Sequence, residues 1–473
     1  MPPAKEDGME GLWRHQVEAI EWARERRSIL LHHEMGCGKT RTAIEILKEL
    51  LASQEAGKPF RVLVCCPKAV IAAWLKQASL WWPEARVCAL TKGTAKAKSK
   101  QVAAALADLS PLLIVVNYET AWRAELLEKT SWSAVVWDEV HRLKSPSGAA
   151  SRWAARVCKK NPTAKRVGLS GTMVPQVPLD IYGIYRSVEA PECQTFGQSY
   201  TLFKANHAIC PPGQHFVVAW KNLEQLHQKI AATTHRVKSA DVLDLPPIRF
   251  FDVPCDLSSQ EARVYKEIER EFCAVVEEGT VTPANALVQL LRMQQICGGS
   301  VTFDGDQTAR QIVEHPAKAE VLADMLEDSP ADEPWVIFCR FKSDIAAARK
   351  VCETLSRKYG ELSGARNDLA AWQQAETTVL ITQIQSGGIG VDLTRSRYCC
   401  FYSLGYSLSD YLQAVARLHR PGQSHETSIW HLVATIDGRS TVDGRVYQAL
   451  RERREVVDVI VDGYAAGIAS GAR

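Results

Sequence analysis

Short apolar runs rich in β-branched residues occur in two separate blocks of this chain. The first block holds "SILLHH" from Ser28, "RVLVCCP" from Arg61, "PLLIVVNY" from Pro111, "SAVVWDE" from Ser133 and "AKRVGLSG" from Ala164. The second holds "WVIFCRF" from Trp335, "TTVLITQ" from Thr377, "YCCFYSL" from Tyr398 and "TSIWHLVA" from Thr427. Runs that are apolar throughout, each followed by a helical stretch, make strands buried on both faces and therefore parallel sheets clad by helices. Between the blocks, from Ile181 to Ala331, the pattern is mostly helical. The chain is thus expected to be α/β with two lobes. Residues 1–245 form the first, with a helical protrusion near 181–235, and residues 246–473 the second, with helices near 257–315. Pro246 and Pro247 forbid a continuous helix at the crossing.

Composition narrows the class. With 473 residues, 46% hydrophobic and 23% charged, there is room for more than one cored domain. No apolar run approaches the roughly 18 residues of a membrane-spanning helix. The opening "MPPAKEDGME" lacks the basic and then apolar pattern of a secretory signal, so a cytoplasmic, reducing location is expected. The 14 cysteines fit free thiols, because Cys65, Cys66, Cys399 and Cys400 sit inside apolar runs and no paired CxxC elements suggest zinc. A net charge of +3 is too small to diagnose nucleic-acid binding, so any such contact must come from local clusters. The most basic stretch, "TKGTAKAKSK" from Thr91, lacks apolar periodicity and reads as an exposed loop.

The chemistry begins at "HHEMGCGKT", where a strand runs into glycines and then into the helical "TRTAIEILKEL". Such a turn points successive backbone N–H groups and a helix N-terminus at a phosphate. Met35, Gly36, Cys37, Gly38 and Arg41 belong to this loop and its helix. Lys39 is placed to reach the β- and γ-phosphates, and the Thr40 hydroxyl to ligate Mg²⁺. His33 stands where the first glycine of the full pattern belongs. A second element, "AVVWDEVHRLKS", puts Asp138 and Glu139 at the end of an apolar strand. In such a site Asp138 holds Mg²⁺ and Glu139 polarises the attacking water.

The ordered set resembles the superfamily 2 helicases and, within them, the Swi/Snf-type DNA translocases. The family loop reads Asp-Glu-Met-Gly-Leu-Gly-Lys-Thr, against "HEMGCGKT" here. Asp138, Glu139, Val140 and His141 match Asp-Glu-Ala-His, and "LSGTM" from Leu169 matches Leu-Thr-Gly-Thr-Pro. The similarity continues through "NYET", "VIFCRFKSD", "SGGIGVDLT" and, most specifically, "QAVARLHRPGQ" from Gln413.

This resemblance implies two RecA-like lobes with helical insertions between them, and an ATPase that takes ATP and Mg²⁺ and moves on double-stranded DNA, working as a monomer. It implies that Arg417 and Arg420 are arginine fingers, with Gln413 on the same helix reaching phosphate or water. Three apart on a helix, the two arginines would share a face. Gln16, preceded by Arg14, matches the glutamine that reads adenine. Ser170, Thr172, Gly388 and Asp392 would couple nucleotide state to movement. The DNA track would use Pro67, Lys68, Trp74, Asn117 and Tyr118 in the first lobe, and Arg340, Lys342, Gln385, Ser386 and Gly387 in the second. Departures from the family are His33 for aspartate, Met173 for proline, and Gln385 for a basic residue. Two other readings stay open, a strand-separating DNA or RNA helicase and a nucleotide-gated binding module that does not turn over.

Overall fold

The computed structural model describes residues 11–55, 57–91, 93–171, 177–214, 216–277, 283–302, 309–384 and 391–462. Thr172, Gln385, Ser386, Gly387 and Gly388 lie outside the described residues, as do Met173 and the final "GYAAGIASGAR". The chain divides into two compact units, Met1–Asp244 together with Arg453–Arg473, and Leu245–Glu452. Among the described residues no helix is long and apolar enough to cross a membrane.

In the first unit, β1 (Ser28–His33), β2 (Arg61–Cys66), β3 (Arg86–Ala89), β4 (Leu112–Asn117), β5 (Ala134–Asp138) and β6 (Lys165–Ser170) precede a small antiparallel hairpin, β7 (Ala208–Ile209) and β8 (Ala219–Trp220), and then β9 (Thr234–Val237). All but the hairpin join one parallel sheet in the order β3-β4-β2-β5-β6-β1-β9. Successive side chains of a strand point to opposite faces. Val62, Val64 and Cys66 accordingly enter one core with Ile20, Ile44 and Trp74 from helices Arg14–Ala23, Lys39–Ala52 and Ile71–Trp81. Leu63 and Cys65 enter the other, with Trp153 and Tyr182 from Ala149–Lys160 and Asp180–Glu189. This double burial is why the strands read as unbroken apolar runs.

The second unit is built the same way. β10 (Ile248–Asp256) is followed by a two-stranded ribbon, β11 (Ser300–Val301) with β12 (Arg310–Gln311), then by β13 (Trp335–Cys339), β14 (Tyr359–Leu362), β15 (Val379–Gln383), β16 (Tyr398–Phe401), β17 (Thr427–Ile436) and β18 (Arg439–Ser440). Its sheet runs β10-β17-β16-β13-β15-β14 in parallel, with β18 antiparallel on β17. Helices Ser259–Glu277 and Pro283–Cys297 fall between β10 and β11. A buried ion pair, Lys318 with Asp443, lies in this unit, and Lys318 also donates to the carbonyl of Tyr402 at 2.8 Å.

One expectation is corrected. From Ala95 onward the basic stretch is no loop, because Ala95–Leu106 is a helix whose N-cap, Thr94, accepts from the Ala97 amide at 3.3 Å. Alanine and lysine are strong helix formers and threonine a good cap, so local preference outweighs the weak apolar period.

Candidate active site

Sheet order brings the first unit's motifs together. β6 lies between β1 and β5, with Ser170 beside His32 and Leu169 beside Asp138. The loop after β1, the acids at the end of β5 and the Ser170–Gly171 turn therefore share one edge of the sheet, where ligands of parallel α/β folds sit.

The loop itself closes on backbone conformations that favour glycine, with Gly36 at φ 86° and Gly38 at φ 72°. Gly38 is the N-cap of Lys39–Ala52, so Lys39 and Thr40 open that helix. The Lys39 ammonium donates to the carbonyls of His33 at 2.7 Å and Glu34 at 3.1 Å. Gly171 closes the other side, since a Cβ there would stand 3.2 Å from the Met35 side chain and 3.4 Å from Lys39 Nζ.

Asp138 is buried. Its Oδ2 accepts from the Trp74 indole at 2.7 Å and its Oδ1 from the Glu139 amide at 2.9 Å. Burial first, and then the Glu139 charge, push its carboxyl up to about 6, while the Trp74 bond and Lys39 pull the other way. Glu139 takes a left-handed backbone, φ 50°, which ends β5 and turns the chain into Val140–Leu143. His141 Nδ1 lies 3.2 Å from a Glu139 carboxylate oxygen and 3.4 Å from Ser170 Oγ, linking the acid pair to the β6 end. Thr40 and Asp138 offer hydroxyl and carboxylate oxygens, a hard donor set that suits Mg²⁺.

Other expected residues fall differently. Trp74 and Tyr118, placed on a DNA track by resemblance, are buried behind the acids: Tyr118 donates through its hydroxyl to the Asp138 carbonyl at 2.8 Å. Their rings are closed to a phosphate backbone. Pro67 is buried, Lys68 is exposed, and the Asn117 amide donates to Glu119 at 2.7 Å. Arg41 is stacked 3.6 Å above the Trp81 ring and paired with Glu45 at 2.9 Å, so it serves helix packing. Arg14 lies on the surface, paired with Glu18. Gln16 is buried with both ends of its amide engaged, accepting from the Trp13 amide at 2.9 Å and donating to the Gly38 carbonyl at 3.2 Å.

In the second unit, Gln413 and Arg417 lie on helix Leu408–Leu418, but Arg420 lies beyond its end. The same-face argument for the two arginines is therefore overturned. Pro421 explains it, since the residue before a proline is disfavoured in helical conformation. Gln413 is buried near Ser409. Arg340 donates to the Gln294 side chain and, at 3.5 Å, to the Leu404 carbonyl. Lys342 is exposed at the start of Lys342–Thr354. Asp392 accepts from the amide and hydroxyl of Thr394 at 3.0 and 2.8 Å, closing a local turn.

Several residues were missed by motif reading. Gln423 is buried and donates to the carbonyls of Thr394, Ser396 and Leu418 at 3.3, 2.9 and 3.3 Å. His419 shares a 2.7 Å bond with the Pro246 carbonyl. In the first unit His15 shares a 3.0 Å bond with the Cys37 carbonyl, and His33 a 2.9 Å bond with His235. Only the strand-ending "THRVKS" could have hinted at the last, and it carries no loop motif.

The SNF2-related domain profile matches residues 15–317, and the helicase conserved C-terminal domain profile matches residues 317–422. The chain is 23% identical over 471 residues to Chromodomain-helicase-DNA-binding protein 1-like of Danio rerio, covering 95% of this chain and 44% of that protein. It is 22% identical over 462 residues to the ISWI chromatin-remodeling complex ATPase ISW1 of Saccharomyces cerevisiae, covering 92% and 40%. It thus spans less than half the length of these two relatives. Among solved structures, the Hef helicase domain of Pyrococcus furiosus superposes with a TM-score of 0.54 at 16% identity, over 93% of this chain and 98% of that one, a likeness of fold.

Proposed function

The chain belongs to the SNF2-related family, and from that premise we propose that it is an ATP-hydrolysing motor that moves along double-stranded DNA, shifting the duplex or the proteins on it. The observation that carries this reading is the convergence of Lys39, Gly171, Asp138 and Glu139 at neighbouring strand ends of one parallel sheet.

Lys39 and the amides opening its helix bind the polyphosphate. Glu139 orients the attacking water and accepts its proton, held towards Ser170 by His141. Thr40 and Asp138 would hold Mg²⁺, which when bound would supply charge neutralisation at the polyphosphate. Arg417 and Arg420 of the second unit supply cationic charge as the γ-phosphoryl leaves. Gln16 reads the adenine by exchanging its present backbone partners for the base edge. Ser170, Thr172, Gly388 and Asp392 relay the nucleotide state. Lys68, Asn117, Arg340, Lys342 and Gln385 to Gly387 meet phosphates, so movement is blind to base sequence.

ATP hydrolysis measured side by side with duplex DNA, single-stranded DNA and RNA tests the reading. Duplex should stimulate most, and stimulation should fall steeply with salt as counterion release is lost. Triplex displacement without fork unwinding is expected. Fork unwinding without triplex displacement would show a strand-separating helicase instead, and stimulation by RNA alone would move the enzyme to another branch.

A further inference from the structure

We infer that His235 and Ser239 are positioning residues for the phosphate-binding loop, holding His33 and Glu34 through a His33–His235 hydrogen bond and a Glu34–Ser239 clamp. The inference rests on the nucleotide-site reading above.

Lys39 is held by two carbonyls, those of His33 and Glu34, so whatever fixes these two residues fixes the ammonium. Both are fixed from β9 and the residues just after it. Glu34 donates its amide to the Val237 carbonyl at 2.9 Å. Its carboxylate accepts from the Ser239 amide at 3.0 Å and the Ser239 hydroxyl at 2.7 Å. His33 Nε2 meets His235 Nδ1 at 2.9 Å, across 202 residues of chain.

The identity of residue 33 makes this pair distinctive. The resembling loop carries aspartate there, and a buried carboxylate demands a cationic partner. Here the facing residue is a second imidazole, which gives one donor and one acceptor and no net charge. The groups packed around the pair agree with neutrality. Burial first, then His235, Lys39 and the His15 and His32 rings pull His33 down to about 2, and burial holds His235 below its ordinary value against the Glu18 carboxylate, with the Trp22 ring 5.7 Å away. A carboxylate introduced at 33 would confront a neutral imidazole and compete for Lys39, whereas an arginine at 235 would satisfy it.

The test is a charge-exchange cycle in the full chain, read by calorimetric binding of ATPγS, by the KM and kcat of hydrolysis, and by thermal melting. His33→Asp should weaken ATPγS binding and raise KM by roughly tenfold, the scale of coupling between contacting residues. His33→Asp with His235→Arg should return both to near the original values. Should His33→Asp fail to fold, Ser239→Ala against Ser239→Thr gives the same comparison, loss of affinity in the first and retention in the second. Folded variants that bind ATPγS unchanged, or no rescue by the double exchange or by threonine, would overturn the inference. Binding and rescue in a protein that no nucleic acid stimulates would overturn the motor reading and leave the positioning role standing. An unsubstituted protein that binds no ATPγS would overturn both.

Discussion

The indole of Trp74 donates a 2.7 Å hydrogen bond to the carboxylate of Asp138, and the indole is completely buried. The motif that suggested a nucleic-acid contact thus contributes a donor to the group that would hold the metal. A donor aimed at a carboxylate favours its ionised form, here against burial and the neighbouring Glu139.

Trp74→Phe should therefore push Asp138 above its present value of about 6 and move the acid limb of kcat/KM for ATP to higher pH. The lost bond to a charged group should also cost about 2 kcal/mol of stability. A pH–rate profile with an unmoved acid limb would show that Asp138 does not govern that limb.

Lys39→Ala and Glu139→Gln should both abolish turnover, for different reasons. The first removes a phosphate ligand and should weaken ATP binding. The second keeps the shape of the site but loses the carboxylate that orients water, and should leave ATP bound and intact. Filter retention of labelled nucleotide separates the two, and normal hydrolysis by Glu139→Gln would refute the assignment.

Arg420→Ala and Gln423→Ala should part company. Arg420 stands outside the helix and is proposed to act on the leaving phosphoryl group, so its loss should cut kcat far more than ATP affinity. Gln423 ties three carbonyls together, and its loss should lower the melting temperature, at roughly 1–3 kcal/mol for buried groups left unpaired. Equal falls in kcat and affinity for Arg420→Ala, or an unchanged melting temperature for Gln423→Ala, would contradict these roles.

Acid should loosen the first unit through its imidazoles. Burial first, then Arg236 and Lys39, hold His32 down to about 3, below its ordinary value. A depressed folded value contributes stability that is complete above the unfolded pKa of about 6.5 and is lost as pH falls towards the folded one. At about pH 5 that loss is about 2 kcal/mol for such a group. Asp138, raised to about 6, acts with the opposite sign between its ordinary value and 6, so the comparison must be with His32→Asn, which keeps Asp138. The melting-temperature gap between the protein and this variant should narrow on acidification. A constant gap would show that His32 takes up its proton at the same pH in the folded and unfolded states, so that burial does not depress it.

Much of this site is local in sequence and was legible there. The glycines before Lys39 and the Asp-Glu pair ending an apolar run report backbone conformation and strand ends, which depend on residues within a few positions of one another. The break of the helix before Arg420 is equally local, written in Pro421. The basic helix was obscured because its helical signal lies in alanine and lysine propensity and a threonine cap, with little apolar period to read. What only tertiary structure decided is which distant group meets which. Trp74 meets Asp138 across 64 residues and His33 meets His235 across 202, because the sheet order sets β2 beside β5 and β9 beside β1. Strand order follows from how two apolar layers pack on a twisted sheet, a long-range cooperative outcome that no window of sequence contains.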